Sequence, residues 1–127
     1  MFSKVGQIML YVNNQDESLA FWTEVAGFHI VDEVNLDGGM RWFEIAPTAD
    51  SQTRIILHDK EFVERMSAGV NLGTPSLMFF TEKLDQLYAD LSGKHVTVGE
   101  IVEMPTGRVF NFADNEGNYF AVLERAK

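Results

Sequence analysis

The chain has 127 residues, 46% of them hydrophobic, which suits one compact domain with a bulky core and argues against disorder. Its 19 acidic and 10 basic side chains give a formal net charge of −9, a balance that disfavours nucleic-acid backbones and anionic membranes. There is no cysteine, which removes disulfides, thiolate metal sites and cysteine nucleophiles together and fits a reducing compartment.

From the N-terminus, residues 6–12 alternate cleanly, with Ile8, Leu10 and Val12 on one face and Gln7, Met9 and Tyr11 on the other, the period of a strand. Asn13-Asn14-Gln15-Asp16 supplies turn and N-cap chemistry. Leu19, Phe21, Trp22 and Val25 follow at helical spacing, and Gly27 stands where a helix commonly stops in a left-handed conformation. Residues 28–36, 40–46 and 52–58 read as strands, the first two separated by the Asp37-Gly38-Gly39 turn. The first half is therefore β-α-β-β-β. A short helix over 60–67 and a Gly- and Pro-containing link over 68–75 lead to a second cycle. Residues 76–81 form its first strand, and Leu84, Leu87, Tyr88 and Leu91 make an amphipathic helix closed by Gly93. Strands over 96–102, 107–113 and 119–124 complete it, the last two joined by the turn Asp114-Asn115-Glu116-Gly117-Asn118.

The two cycles also match residue by residue. Met40-Arg41-Trp42-Phe43-Glu44-Ile45-Ala46 is echoed by Gly107-Arg108-Val109-Phe110-Asn111-Phe112-Ala113, and Gln7-Ile8-Met9-Leu10 by Ser76-Leu77-Met78-Phe79. A long period used twice points to a tandem pair of small modules, with a site formed between them. Each module would lay one helix over one face of a four-stranded sheet, leaving the other face for a partner sheet or a ligand. On the first strands that second face carries Gln7, Met9 and Tyr11, and in the repeat Ser76, Met78 and Phe80, the mixed polar and flexible apolar lining of a small-molecule pocket.

Arg41 and Arg108 hold the same repeat position. Arginine's planar fork of donors suits a ligand carboxylate or phosphate, and it equally suits ion pairs with the abundant Asp and Glu, the reading we favour. Trp42, Phe43, Phe110 and Phe112 alternate around these arginines and form either an aromatic wall or, for most of them, core packing. Of the three histidines, His29 and His95 follow the helices in matching positions and are expected to be solvated, whereas His58 closes a strand within reach of the pocket. There is no phosphate-binding glycine loop, zinc-protease helix, nucleophile elbow or basic stripe. No apolar run approaches the ~20 residues of a membrane span, and no basic segment followed by an apolar run opens the chain, so a cytoplasmic protein is expected.

A duplicated β-α-β-β-β chain of this length resembles the vicinal oxygen chelate superfamily, within its glyoxalase, bleomycin-resistance and dioxygenase group. The resemblance is carried by Gln7-Ile8-Met9-Leu10-Tyr11-Val12, by Ser18-Leu19-Ala20-Phe21-Trp22-Thr23-Glu24 with Gly27-Phe28, and by Gly39-Met40-Arg41-Trp42. Pro105-Thr106-Gly107-Arg108 and the stretch Phe112-Ala113-Asp114-Asn115-Glu116-Gly117-Asn118 complete it; the family's usual closing turn is Asp-Pro-Asp-Gly-Asn, with Asn115 and Glu116 in its second and third places here. The resemblance implies an α+β fold of two tandem βαβββ modules forming a curled mixed-sheet cup. It implies a single domain over 1–127, with pseudo-repeats of about 1–59 and 74–127 joined by a linker over 60–73.

Relatives commonly bind a divalent metal in that cup through the first and last strands of each module. The corresponding positions are Gln7, Ile56 or His58, Ser76 and Ala121. Ile and Ala offer no donor and Ser is a poor one, so no metal and no other cofactor are expected. The expected function is metal-independent binding of a small molecule, an antibiotic or toxic metabolite, by a homodimer without nucleic-acid or membrane partners. The alternative is a lyase or isomerase resembling glyoxalase I, or a dioxygenase-like enzyme, drawing on Gln7, His58 or one of Glu44, Glu100 and Glu124. The candidate ligand contacts are Gln7, Met9, Tyr11, Arg41, Trp42, His58, Ser76, Met78, Arg108, Phe110, Phe112 and Ala121.

Overall fold

Alternation along the first segment becomes strand β1 (Gln7–Val12), whose Leu10 and Val12 are fully buried. The structure, a computed structural model, describes residues 1–126. The Asn14 side chain accepts the Glu17 N–H at the head of α1 (Gln15–Ala20), the N-cap contact anticipated from the sequence. The helix then widens into a π-helical turn over Phe21–Val25, with Ala26 N–H bonded to the Phe21 carbonyl at 2.9 Å. That wider turn lets the consecutive residues Phe21 and Trp22 both be buried, and Trp22 packs on Phe28 at 5.0 Å between ring centroids. Gly27, with φ of 78°, ends the turn as expected.

Strands β2 (His29–Asn35), β3 (Arg41–Ala46) and β4 (Arg54–Asp59) follow, and α2 (Lys60–Met66) starts directly from β4 with Asp59 as its side-chain cap. The sheet order is β1-β4-β3-β2, with β1 and β4 parallel and the other pairs antiparallel. Met1–Pro75 forms one compact unit, so the 60–73 linker begins as this helix and belongs to the first unit.

The second unit begins at Ser76. It contains β5 (Met78–Phe80), α3 (Leu84–Gly93), β6 (Val102–Met104), β7 (Gly107–Ala113) and β8 (Tyr119–Arg125), in the sheet order β5-β8-β7-β6. Its pairing repeats the first: β5 runs parallel to β8, and the rest are antiparallel. The protein is thus α+β, with two four-stranded mixed sheets.

Three elements differ from expectation, the first being β5, which spans Met78–Phe80 rather than 76–81 and leaves Ser76, just after Pro75, outside the strand. The strand predicted over 96–102 is reduced to a bridge between Val98 and Phe112, with β6 beginning only at Val102. Gly99, a poor strand residue, interrupts it, although Gly99 N–H still donates to the Asn111 carbonyl at 2.8 Å. Gly93, expected to close α3, lies within it; the left-handed residue is His95, with φ of 63°. Histidine tolerates this region better than β-branched residues.

Candidate functional site

Register divides each sheet into a face that carries its own helix and a face that does not. In the first unit Arg41, Phe43 and Ile45 of β3 share the α1 side, because the Arg41 guanidinium meets Asp16 Oδ1 at 3.2 Å and Gln15 Oε1 at 3.4 Å on that helix. Gln15 answers with its amide, donating to the Arg41 carbonyl at 2.7 Å and the Leu57 carbonyl at 3.1 Å. In the second unit Arg108 forks onto Asp85 of α3 at 3.1 and 2.8 Å and onto Glu124 at 2.8 Å. Glu124 in turn accepts the Leu84 N–H at 3.0 Å, capping α3 from β8 where Lys83 provides no side-chain cap.

The two arginines therefore perform the same task twice: each ties the first turn of its unit's helix to the sheet. The Arg108 hydrogen bond holds the Asp85 carboxyl below the usual carboxylate range. Arg108, then the Leu84 N–H, do the same for Glu124, and Arg108 itself is pushed up by these partners. Phe110 and Phe112 lie on the same helix side. Phe110 is 1% exposed and meets Tyr88 of α3 edge-on at 5.1 Å, and Phe112 packs with Phe120 at 5.9 Å. Of the candidate contacts, Arg41, Arg108, Phe110 and Phe112 thus stand on the helix-bearing faces of their own sheets, opposite the faces that carry Gln7, Met9, Tyr11, Trp42 and His58 in the first unit and Met78 and Ala121 in the second.

The helix-free face of the first sheet collects the remaining candidates of that unit. Gln7, Met9 and Tyr11 of β1 lie opposite Arg54, Ile56 and His58 of β4, while Trp42 and Glu44 of β3 lie opposite His58 and Ile56. Tyr11 and His58 are 6.0 Å apart between ring centroids with a 21° interplanar angle, and His58 and Trp42 are 5.4 Å apart at 49°. Ile56 and Ala46 on this face are buried. Burial pushes the His58 imidazole below its ordinary value of 6.5, favouring the neutral ring.

Two members of this face were missed or undervalued in the sequence. The sequence singles out Glu44 only as a possible acid and gives no sign of Arg54, yet the two form a 3.1 Å ion pair across β3 and β4. Arg54 also donates from Nε to the Ser51 carbonyl at 3.2 Å. Strand alternation puts Glu44 with Trp42 and Arg54 with His58; what the sequence lacked was the register that brings the two together.

On the helix-free face of the second sheet, Met78 lies opposite Ala121 and Phe80 opposite Leu123, with Val109 and Asn111 on the next strand. Met78 and Phe80 are exposed, Arg125 covers the Phe80 ring at 5.0 Å, and Ser76 lies outside the strand. Among the described residues no group of three or more His, Asp or Glu side chains is placed to hold a metal ion.

Two sheets of order 1-4-3-2, each built β-α-β-β-β, define a glyoxalase-type protein, and the chain belongs to the Glyoxalase/Bleomycin resistance protein/Dioxygenase superfamily, whose model matches residues 4–122. Among its relatives is YetH of Bacillus subtilis (strain 168), described as uncharacterized, which is 29% identical over 125 residues, 98% of this chain and 100% of that protein. A superfamily member from Sphaerobacter thermophilus DSM 20745 is similar in structure, with a TM-score of 0.82, 26% identity and 98% of each chain covered. TnmS3 from Streptomyces sp. CB03234, described as an antibiotic binding protein, gives the same TM-score of 0.82 at 24% identity, again over 98% of each chain.

Proposed function

We propose that this protein binds a small molecule, an antibiotic or toxic metabolite, without a metal, and that the helix-free face of the first sheet is a contact surface for it. The observation that carries this reading is the Glu44–Arg54 pair. It engages a carboxylate a cation would need and sets a fixed guanidinium on the strand position opposite Gln7. Of the family's ligand positions, Gln7, Ile56 or His58, Ser76 and Ala121, only an amide, an imidazole at most and a hydroxyl carry a donor, a set without a carboxylate that a hard or borderline divalent cation would not choose. What remains is a hydrophobic floor with three rings and a few polar groups, the usual composition of an organic-ligand surface. The shared fold with an antibiotic binding protein is compatible with this reading.

The proposal includes a cytoplasmic homodimer; exposed apolar side chains on the second unit, among them Met78, Phe80 and Met104, are the surface that association would cover. No described helix is long and apolar enough to cross a membrane.

The test is elemental analysis of protein purified without chelator, together with thermal-shift screening against an antibiotic and metabolite panel. Substoichiometric metal and a saturable shift with at least one organic compound, unchanged by chelator, are the expected results. Stoichiometric transition metal, or chelator-sensitive turnover of methylglyoxal with a thiol, would replace it with a lyase reading. Sedimentation velocity checks the dimer.

A further inference from the structure

Three adjacent strands of the first sheet each present a ring on the face away from α1: Tyr11 on β1, His58 on β4 and Trp42 on β3. Nothing in the sheet geometry demands this. The second unit repeats the lattice, and its register assigns the same three positions to Phe80, Leu123 and Val109. Buried positions, by contrast, keep their character: Phe43 corresponds to Phe110, and Leu57 to Val122. The fold is therefore satisfied by aliphatic side chains where the first unit places His58 and Trp42, so these two half-buried rings serve something other than the core, while Phe80 keeps a ring at the Tyr11 position.

The ionic groups beside the row point the same way. Glu44 and Arg54 are paired with each other, and Arg54 has a second acceptor in the Ser51 carbonyl. An ionic ligand would have to break that pair and recover its loss. The general acidity of the chain attracts any cation to the surface without selecting among shapes.

We infer that the ligand of this face is flat and π-rich, seated against Tyr11, His58 and Trp42 and held by ring contacts rather than by an ion pair. The inference rests on the binding reading above and narrows its ligand class. Aromatic side chains receive a π-system in offset or edge-on geometry, and a half-buried ring already has much of its desolvation and ordering behind it. Ile56 and Met9 provide an apolar floor beside the row, and neutral His58 offers a hydrogen-bonding edge to a carbonyl or hydroxyl on the ligand.

Three probes separate shape from charge: acridone, flat and neutral; 9-aminoacridine, of similar shape and cationic; and spermidine, cationic without a ring. Of the chain's two tryptophans, Trp22 is fully buried, so quenching of tryptophan emission reports chiefly on Trp42. Both tricyclic probes should quench that emission and raise the melting temperature, and spermidine should do neither. Trp42→Leu and Tyr11→Leu should each weaken the tricyclic probes by about tenfold, whereas Trp42→Phe retains most of the affinity. Should Trp42→Leu fail to fold, Tyr11→Leu and Trp42→Phe carry the comparison. Glu44→Gln should weaken cationic 9-aminoacridine no more than neutral acridone, since no ion pair to the ligand is lost. Binding of spermidine or another non-planar panel compound without the tricyclic probes, or tricyclic binding unchanged by both leucine variants, overturns the ligand class and leaves the binding reading standing. If no probe and no panel compound binds, both fall.

Discussion

Gly107→Ala tests the strand register on which the assignment of faces depends. Gly107 opens β7 opposite Arg125 and adopts φ of 144°, a region that L side chains rarely enter. A Cβ there would overlap the Glu124 carbonyl oxygen outright and stand 2.9 Å from both Ala126 N and Arg125 Cα, all of them backbone. No side-chain rotation relieves such a clash; β8 itself must shift. The expected loss is about 3 kcal/mol or more, from backbone strain plus overpacking. For a domain of this size that lowers the melting temperature by roughly 10 °C.

Gly117→Ala is the matched control. Its φ of 79° is also left-handed, but nothing lies within 4 Å of its added Cβ. Only the conformational cost remains, about 1–2 kcal/mol. Differential scanning calorimetry of both variants should therefore rank Gly107→Ala well below Gly117→Ala. Equal and small shifts would refute the reasoning, because they would mean that Gly107 does not meet β8 as described. A one-residue slip there exchanges the two faces of the strand, putting Phe110 and Phe112 where Val109 and Asn111 now stand.

Phe110→Ala should destabilise by about 3–5 kcal/mol in denaturant unfolding while leaving tricyclic-probe affinity of the folded protein unchanged, since this ring packs under α3. A double-mutant cycle of Glu44→Gln and Arg54→Gln should give a coupling near 0.5–1 kcal/mol, at the partly screened end for side chains 13% and 34% exposed. His58 has its folded pKa lowered by burial, so the unfolded chain takes up a proton first as the pH falls through 6.5; the wild type should lose stability below that point, and His58→Phe should flatten this part of the profile in urea melts. Asp85 and Glu124 are also lowered, from ordinary values of 3.8 and 4.5, and their contribution is complete above those values and lost as the pH falls through the folded ones. Arg108→Met should therefore reduce the steepness of acid unfolding, a change read by circular dichroism during acid titration.

Much of the architecture was legible because the relevant signals are local. Alternation located β1, the cap at Asn14 located α1, and the matched runs around Arg41 and Arg108 exposed the duplication. The places where reading failed are those where a neighbour decides. Val98 and Gly99 look like part of a strand, but a glycine in mid-run weakens pairing enough that only a bridge to Phe112 survives. Gly93 looks like a helix stop, yet hydrogen bonds from Lys94 and His95 back to the last turn place the left-handed residue two positions later. The site was half legible for the same reason. Period-two spacing grouped Gln7, Met9 and Tyr11, but the partnership of Glu44 with Arg54 depends on two strands aligning across a loop.

The duplication itself separates what the fold needs from what the face needs. Where both units must bury a side chain or anchor a helix, the two copies agree: Phe43 with Phe110, Ala46 with Ala113, and an arginine reaching the first helical turn at Arg41 and again at Arg108. On the faces turned away from the helices Met9 matches Met78 and Tyr11 matches Phe80 in character, but four positions diverge. Glu44 corresponds to Asn111, Arg54 to Tyr119, His58 to Leu123 and Trp42 to Val109. One lattice thus accepts an ion pair and a row of rings in one unit and largely apolar side chains in the other. Packing alone does not demand His58 and Trp42, since Leu123 and Val109 hold the same lattice positions in the second unit. A function exercised on the first face does, and exchanging only those four positions for their second-unit counterparts should leave folding cooperative while abolishing ligand-dependent stabilisation. Loss of cooperative unfolding in that quadruple variant, with no ligand effect in the parent, would return the rings and the ion pair to an ordinary structural role.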